Sequence, residues 1–314
     1  MKLIGVDIGG TKCAVVLGDE NGNIIDKIKF PTSDVNTTIE KIEHAISDFE
    51  EYAAIGISCG GPLDAERGII QSPPNLLGWD NIMIKNMLEK KFSVPVFLQN
   101  DADACALAEW KFGAGRGCKN MIFLTFGTGM GAGLILNGQL YSGTSGCAGE
   151  VGHIRLEDYG PVGYGKAGSF EGFCSGGGIA QYAAAKARAI MQTGQKVSYC
   201  KSSCELSLIT AKSVAEKAVQ GFEDAICVYK ECGKMLGRGL AILIDLLNPE
   251  RIVMGSIFTR SEKLLRDEMQ KVIDKECLKS TAEICKIVPA SLGESIGDVA
   301  AVAVAVNRMS SLAE

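Results

Sequence analysis

Two stretches of this chain share one layout, and that repetition constrains the fold more than any other feature. Residues 3–24 read "LIGVDIGGTKCAVVLGDENGNI": an apolar run, a Gly-Gly-Thr turn, a second apolar run and an Asn-Gly turn. Residues 120–143 repeat the order as "NMIFLTFGTGMGAGLILNGQLYSG". The apolar runs have strand composition, and "NGN" and "NGQ" are hairpin signals. Self-similarity of this kind predicts two domains built on one plan. A turn made for shape alone needs a Gly or an Asn. It does not need Asp7, Thr11 and Lys12 around the glycines.

The rest of the chain supplies crossover helices. Ile39, Ile42 and Ile46 share a face of a helix predicted from about Thr37 to Phe49. "AAIGISCGGPLD" reads as a buried strand ending in a Gly-Gly-Pro loop, and "VPVFLQNDA" as another strand running into a polar tip. Helices are predicted over Met83–Phe92 and Ala102–Phe112, with helix-rich segments at 175–192 and 211–247. "NPERIVMGSIF" (248–258) is one more strand, and the Ala/Val-rich 297–309 a buried final helix. Strands alternating with helices give an α/β fold. With 314 residues, 46% of them apolar, the chain can fill two cores.

Composition excludes several classes. Net charge is −5 and no Lys/Arg block stands out, which disfavours binding nucleic acid through its phosphates. Apolar runs such as Leu240–Leu247 are short and broken by Asp245, so no membrane span is expected. Asp7 interrupts the only early apolar stretch, which argues against a signal peptide. The 12 cysteines are scattered singly; Cys200 and Cys204 form the only close pair, read as ordinary loop thiols. Reduced cysteines in a cytoplasmic protein are the expectation.

The Gly/Thr turns point to phosphate. A triphosphate needs many donors at short range, and glycine-rich turns bring backbone N–H groups close. Gly9, Gly10 and Thr11 on one side, with Gly127, Thr128, Gly129 and Gly131 on the other, are expected to clamp the β- and γ-phosphates of ATP. Lys12 adds a point charge. Asp7 offers an oxygen to Mg²⁺ through water, since that ion takes one or two carboxylates plus phosphate and water. Neither turn is a Walker loop, and the first leads into a strand, which a dinucleotide fingerprint does not.

The chain resembles the ROK family of sugar kinases, within the actin/Hsp70/hexokinase-like ATPase superfamily. The resemblance rests on "DIGGTK" (7–12), "GGPLD" (60–64), "PNLLGW" (74–79), "NDADACALAE" (100–109), "FGTGMGAGLILNG" (126–138), "GEVGH" (149–153), "GSFEGFCSG" (168–176) and "NPERIVMGS" (248–256). The motifs stand in family order and span nearly the whole chain. The implied fold is two actin-like (ribonuclease H-like) α/β domains flanking an interdomain cleft. Residues 1–117 plus 295–314 are expected to form the smaller and 118–294 the larger. The family's repressors carry a helix-turn-helix ahead of the first strand; here that strand begins at residue 3, so no such module is expected. Dimers are common in the family, so a homodimer is an expectation from the resemblance alone.

The resemblance also implies roles. Asp101 would be the base that accepts the sugar hydroxyl proton, with Asn100 beside it as a hydroxyl partner. Read without the family, Asp101 is first of all a helix cap. Glu150, His153 and Glu171 match sugar-holding positions, and Gly61 and Asn75 fall in loops lining the same pocket. Carboxylates suit a polyol because each can accept from two hydroxyls. His44 lies on a charged helix face and is read as solvated. Gly255 and Ser256 would flank the adenine, where the family usually has Gly-Gly. "LGESIGDVAA" (292–301) is only loosely family-like.

One departure is larger. Many members follow the histidine with C-x-C-G-x-x-G-C-x-E, whose thiolates join it on a tetrahedral zinc. Here Val162, Tyr164 and Ser169 occupy the three Cys positions, so no zinc site is expected, and His153 is free either to bond sugar or to turn away. The leading reading is an ATP- and Mg²⁺-dependent kinase of a hexose or N-acetylhexosamine such as glucose or N-acetylmannosamine. The alternative is a non-catalytic sugar-binding regulator without a DNA-binding domain.

Overall fold

A computed structural model describes residues 1–313. It resolves into two compact units: Met1–Phe123 with Gly133–Ala148 and the chain from Ala290 on, and Leu124–Ala132 with Gly149–Pro289.

In the first unit, strands β1 (Lys2–Ile8), β2 (Lys12–Asp19) and β3 (Ile24–Pro31) form an antiparallel meander. Strand β4 (Ile55–Cys59) pairs parallel with β1, and an edge strand, Val96–Asn100, pairs parallel with β4. The sheet order is therefore 3-2-1-4-5. The second five-stranded sheet takes its strands in sequence order Met121–Leu124, Ala132–Leu136, Gln139–Leu140, Arg251–Met254 and Lys286–Pro289, and arranges them as 3-2-1-4-5 again. The repeat seen in the sequence is thus a repeat of topology. Ile257 and Phe258, read from the sequence as part of a strand, instead open the helix Ile257–Glu276.

Strand periodicity sorts the first core. Ile4, Val6 and Ile8 alternate onto one face with Ile39, Ile42, Ile46 and Leu98. Leu3 and Val16 face the other way, onto Val302 and Ala305 of the final helix, Ile296–Ala313. That helix can lie so close because β4 carries Gly56 opposite it. A Cβ there would stand 2.2 Å from the Ala301 carbonyl. Helix α1 (Val35–Ser47) starts two residues before the expected Thr37, because the Asp34 carboxylate accepts from Thr37 N at 3.1 Å and caps it. Helices α2 (Ile84–Phe92) and α3 (Asp101–Phe112) fall where the sequence puts them.

In the second unit, the long helix Glu223–Leu247 runs against Ile257–Glu276. Gly233 and Gly237, one turn apart, permit it: Cβ atoms there would lie 2.7 and 2.6 Å from the Leu265 and Met269 carbonyls. Asn248 ends the long helix in the left-handed conformation. All 12 cysteines are free thiols. No described helix is long and apolar enough to cross a membrane.

Candidate active site

In the first unit the site grows from three strand ends. β1 delivers Asp7, and the β1–β2 turn holds Gly9, Gly10, Thr11 and Lys12. The turn closes through Gly9 N donating to Lys12 O at 3.1 Å and the Thr32 hydroxyl donating to Gly9 O at 2.6 Å. The amides of Gly10 and Thr11 have no acceptor among the described residues, and both residues are exposed. Gly10 has to be glycine: a Cβ would stand 2.5 Å from the Asn75 carbonyl, so the "PNLLGW" loop lies directly on the turn. β4 ends in Gly60 and Gly61, the latter before a cis Pro62.

The edge strand ends at Asn100, whose side-chain oxygen accepts from Ala102 N at 2.9 Å and caps α3. A Cβ on Gly61 would lie 3.2 Å from Asn100 Nδ2, and one on Gly60 would lie 3.9 Å from Asp101 Oδ2. Gly61, Asn100 and Asp101 are therefore neighbours, as are Gly10 and Asn75. Asp101 also accepts from Ala102 N, at 2.8 Å. The capping role and a chemical role are thus compatible, because its second oxygen is not used by the cap. Asp101 is exposed at its surface but surrounded by protein on most sides. That desolvation raises its carboxyl above the ordinary value, against the lowering effect of the Ala102 amide.

Asp7 is raised too, to about 6. Burial is the main cause, followed by the charges of Asp298 and Asp101, with Lys12 and Lys27 opposing. The sequence reading missed Asp298 and Lys27. Asp298 lies on the final helix, nearly buried, and accepts from Lys27 Nζ of β3 at 2.5 Å. The preceding Gly297 keeps the helix close to Asp7, since a Cβ would stand 2.8 Å from Asp7 Oδ2. A carboxylate held by burial beside other carboxylates is short of positive charge, and this donor set fits hydrated Mg²⁺. The one available signal for Asp298 was the "GESIGDVAA" stretch, where the chain departs from its family.

In the second unit the Gly/Thr turn is built differently. Thr125 spans it: its backbone N donates to Gly131 O at 2.9 Å, and Gly131 N donates to its hydroxyl at 3.0 Å. Gly127 N reaches Gly129 O, and Gly127 O accepts from Gly176 N at 2.8 Å. Glu171 Oε2 accepts from Met130 N at 3.0 Å, and a Cβ on Gly129 would lie 2.8 Å from the same oxygen. The amides of Thr128 and Gly129 have no acceptor among the described residues. Each turn thus presents two adjacent unsatisfied N–H groups, an anion-binding arrangement.

Gly255 N donates to Leu124 O, fixing the 255–256 bend beside this turn. Ser256 stands at φ +50°, a conformation glycine adopts without strain, and its hydroxyl accepts from Arg260 at 3.1 Å. A Cβ on Gly127 would lie 3.6 Å from Ser256 Oγ, so the bend and the turn are neighbours.

Glu150 is exposed and precedes a short 3₁₀ turn, Val151–His153. Within that turn Gly152 packs on Glu171: a Cβ there would lie 3.2 Å from the Glu171 Cβ. The three positions of the absent thiolates have other uses. Val162 exchanges backbone bonds with the Gln181 amide, at 3.0 and 2.9 Å. Tyr164 sets its ring edge-on to His153, with centroids 5.3 Å apart. Ser169 caps the turn Phe170–Phe173 through Gly172 N at 3.1 Å. Among the described residues there is no group of three or more His, Cys, Asp or Glu arranged to hold a metal. His44 is exposed on α1.

Comparison with known proteins agrees with this geometry. A family model described as "ROK family" matches residues 3–308. A glucokinase of Streptomyces coelicolor is 34% identical over 307 residues, covering 95% of each chain. A glucokinase of Thermotoga maritima is 31% identical, covering 98% of each. Among solved structures, a ROK family glucokinase from Streptomyces griseus in complex with glucose and AMPPNP superposes with a TM-score of 0.76 at 30% identity, over 98% of this chain and 100% of that one.

Proposed function

Because this chain belongs to the ROK family and is an ATP-dependent sugar kinase, we propose that it transfers the γ-phosphoryl group of Mg-ATP to the 6-hydroxyl of a hexose, glucose before N-acetylhexosamines such as N-acetylmannosamine. Two pairs of unsatisfied amides carry the reading: Gly10 with Thr11, and Thr128 with Gly129. Adjacent N–H groups on glycine-rich turns, with no acceptor within the protein, are free to donate to an anion.

In this reading both turns donate to the phosphates, Lys12 neutralises developing charge, and Asp7 with Asp298 beside it holds the hydrated magnesium. Bound there, the metal would supply positive charge to offset that of the phosphates. Asp101 takes the proton of the attacking hydroxyl, and a carboxylate raised by burial suits that task. Asn100, Gly61, Asn75, Glu150, His153 and Glu171 are assigned to the sugar, Gly255 and Ser256 to the adenosine. His153 is positioned by Tyr164 in place of a metal, so the sugar loop needs no zinc.

Coupled ADP release over a panel of hexoses tests the proposal. Turnover of glucose above other hexoses, with glucose 6-phosphate as the product, is the expected result. Tight glucose binding with no ADP release from any sugar would replace the kinase by a sugar-responsive regulator.

A further inference from the structure

A cavity of the first unit, about 750 Å³, is lined by none of the residues assigned to catalysis. Its wall includes Gln99 and Ser142, Lys111 of α3, Asn307 and Arg308 of the final helix, and Asp64. Two features make it more than a surface recess.

The first is its floor. Gln99 is 3% exposed and Asp103 2%, and both are tied to Ser142. Gln99 Nε2 and the Ser142 hydroxyl each donate to Asp103 Oδ2 at 2.6 Å. A carboxylate can only accept, so the Gln99 amide must turn its NH₂ to Asp103 and leave its oxygen as a spare acceptor. The second is charge. Lys111 and Arg308 form no ion pair with any described residue. Lys111 lies over the Trp110 ring, 5.0 Å from its centroid, and burial pushes its ammonium below the ordinary value with no carboxylate opposing. A half-buried cation without a counterion is an energetic cost that a bound anion would remove.

We propose that this cavity is a second binding site, for a sugar phosphate: the phosphate is held by Lys111 and Arg308, and the hydroxyls by Asp64, Asn307 and Gln99. Cations alone would suit any anion. The amide, hydroxyl and carboxylate groups on the same wall are what a polyol requires, and the volume is within the range of small-molecule sites. The site stands on its own residues and is independent of the identity of the kinase substrate.

The test is a titration of the intact protein with glucose 6-phosphate while glucose and AMPPNP saturate the kinase site, followed by calorimetry and by Trp110 fluorescence. Trp79, the only other tryptophan, is fully buried elsewhere. One remaining site per chain is expected. Arg308→Gln on the exposed helix face and Lys111→Gln should each weaken it about tenfold or more, as loss of a charged hydrogen bond does. Both variants should keep the wild-type KM for glucose. Absence of binding, or undiminished binding in both variants, overturns the proposal. Equal affinity for inorganic phosphate overturns its sugar part. A first titration in which glucose and AMPPNP fail to bind would instead count against the kinase assignment, so the two failures are distinguishable.

Discussion

The two Gly/Thr turns descend from one layout but are held in different ways. The opening turn is short and is fixed by strand register: Ile8 faces Cys13, and two bonds from Gly9 and Thr32 close it. Around it stand Asp7, Lys12, Asp101, Asp298 and Lys27. The second turn is longer and neutral, braced internally by Thr125 and from outside by Glu171. Both turns present backbone donors, but their charged neighbours differ: three carboxylates and two lysines at the first, the Glu171 carboxylate at the second. Under the proposed function both turns donate to phosphate, while metal and proton chemistry fall to residues of the first unit.

That division breaks most openly at Asp101. Asp101→Asn keeps the oxygen that accepts from Ala102 N and removes the base. kcat should fall by about 10²–10⁴, the range for a positioned general base, with the KM for sugar changed only a few-fold. Steady-state kinetics on the preferred hexose decides it. A variant with wild-type kcat would move the base elsewhere.

The next comparison sets glycine against glycine. In Gly10→Ala the new methyl meets the Asn75 carbonyl at 2.5 Å, and backbone cannot step aside. In Gly129→Ala it meets Glu171 Oε2 at 2.8 Å, the end of a flexible side chain. Gly10→Ala should cost about 1–3 kcal/mol, as overpacking does, and lose most of its affinity for AMPPNP. Gly129→Ala should lose less of both. Thermal melts with and without AMPPNP read this directly. Equal losses would mean that the second turn is as rigid as the first.

Much of this division was legible in the sequence, and the part that was not has a common cause. Strand periodicity, the Asn-Gly turns and the Gly/Thr clusters are local signals, so the repeated topology followed from them. Asp101 was legible through its motif. The Asp298–Lys27 pair was not, because its members lie 271 residues apart and only the packing of the final helix on the sheet joins them. Ser256 looked like a tolerated small residue; its left-handed backbone and its bond to Arg260 appear only in three dimensions. The same is true of Tyr164, which the family resemblance marks as a missing cysteine and the structure places against His153.

pH sharpens the contrast, since only the first unit carries a displaced carboxylate beside its turn. Asp7 is raised from 3.8 to about 6, so the folded chain binds that proton more tightly than the unfolded one. Without nucleotide or metal, its contribution to stability is complete below about 4 and is lost as pH rises through about 6. At its largest it amounts to about 3 kcal/mol. Metal binding has the opposite preference, because the ion needs the carboxylate ionised. The KM for Mg-ATP should therefore rise as pH falls through about 6. Asp298→Asn removes the nearest opposing charge and should shift that inflection downward. An inflection unmoved in Asp298→Asn would leave burial and the Asp101 charge as its causes.

The smallest expected effect separates the two uses of Glu171. Glu171→Gln keeps an oxygen able to accept from Met130 N but removes the charge proposed to face the sugar. Glu171→Ala removes both, leaving an amide on a residue only 4% exposed without its partner. If the brace matters to the second turn, the KM for ATP should rise several-fold in Glu171→Ala and stay near wild type in Glu171→Gln, as an unsatisfied donor costs about 1–3 kcal/mol. The KM for sugar should rise in both. Matching ATP constants in the two variants would make Glu171 a sugar residue only and leave Thr125 as the whole support of the neutral turn. The opening turn would then differ from its copy in charge but not in the number of elements that hold it.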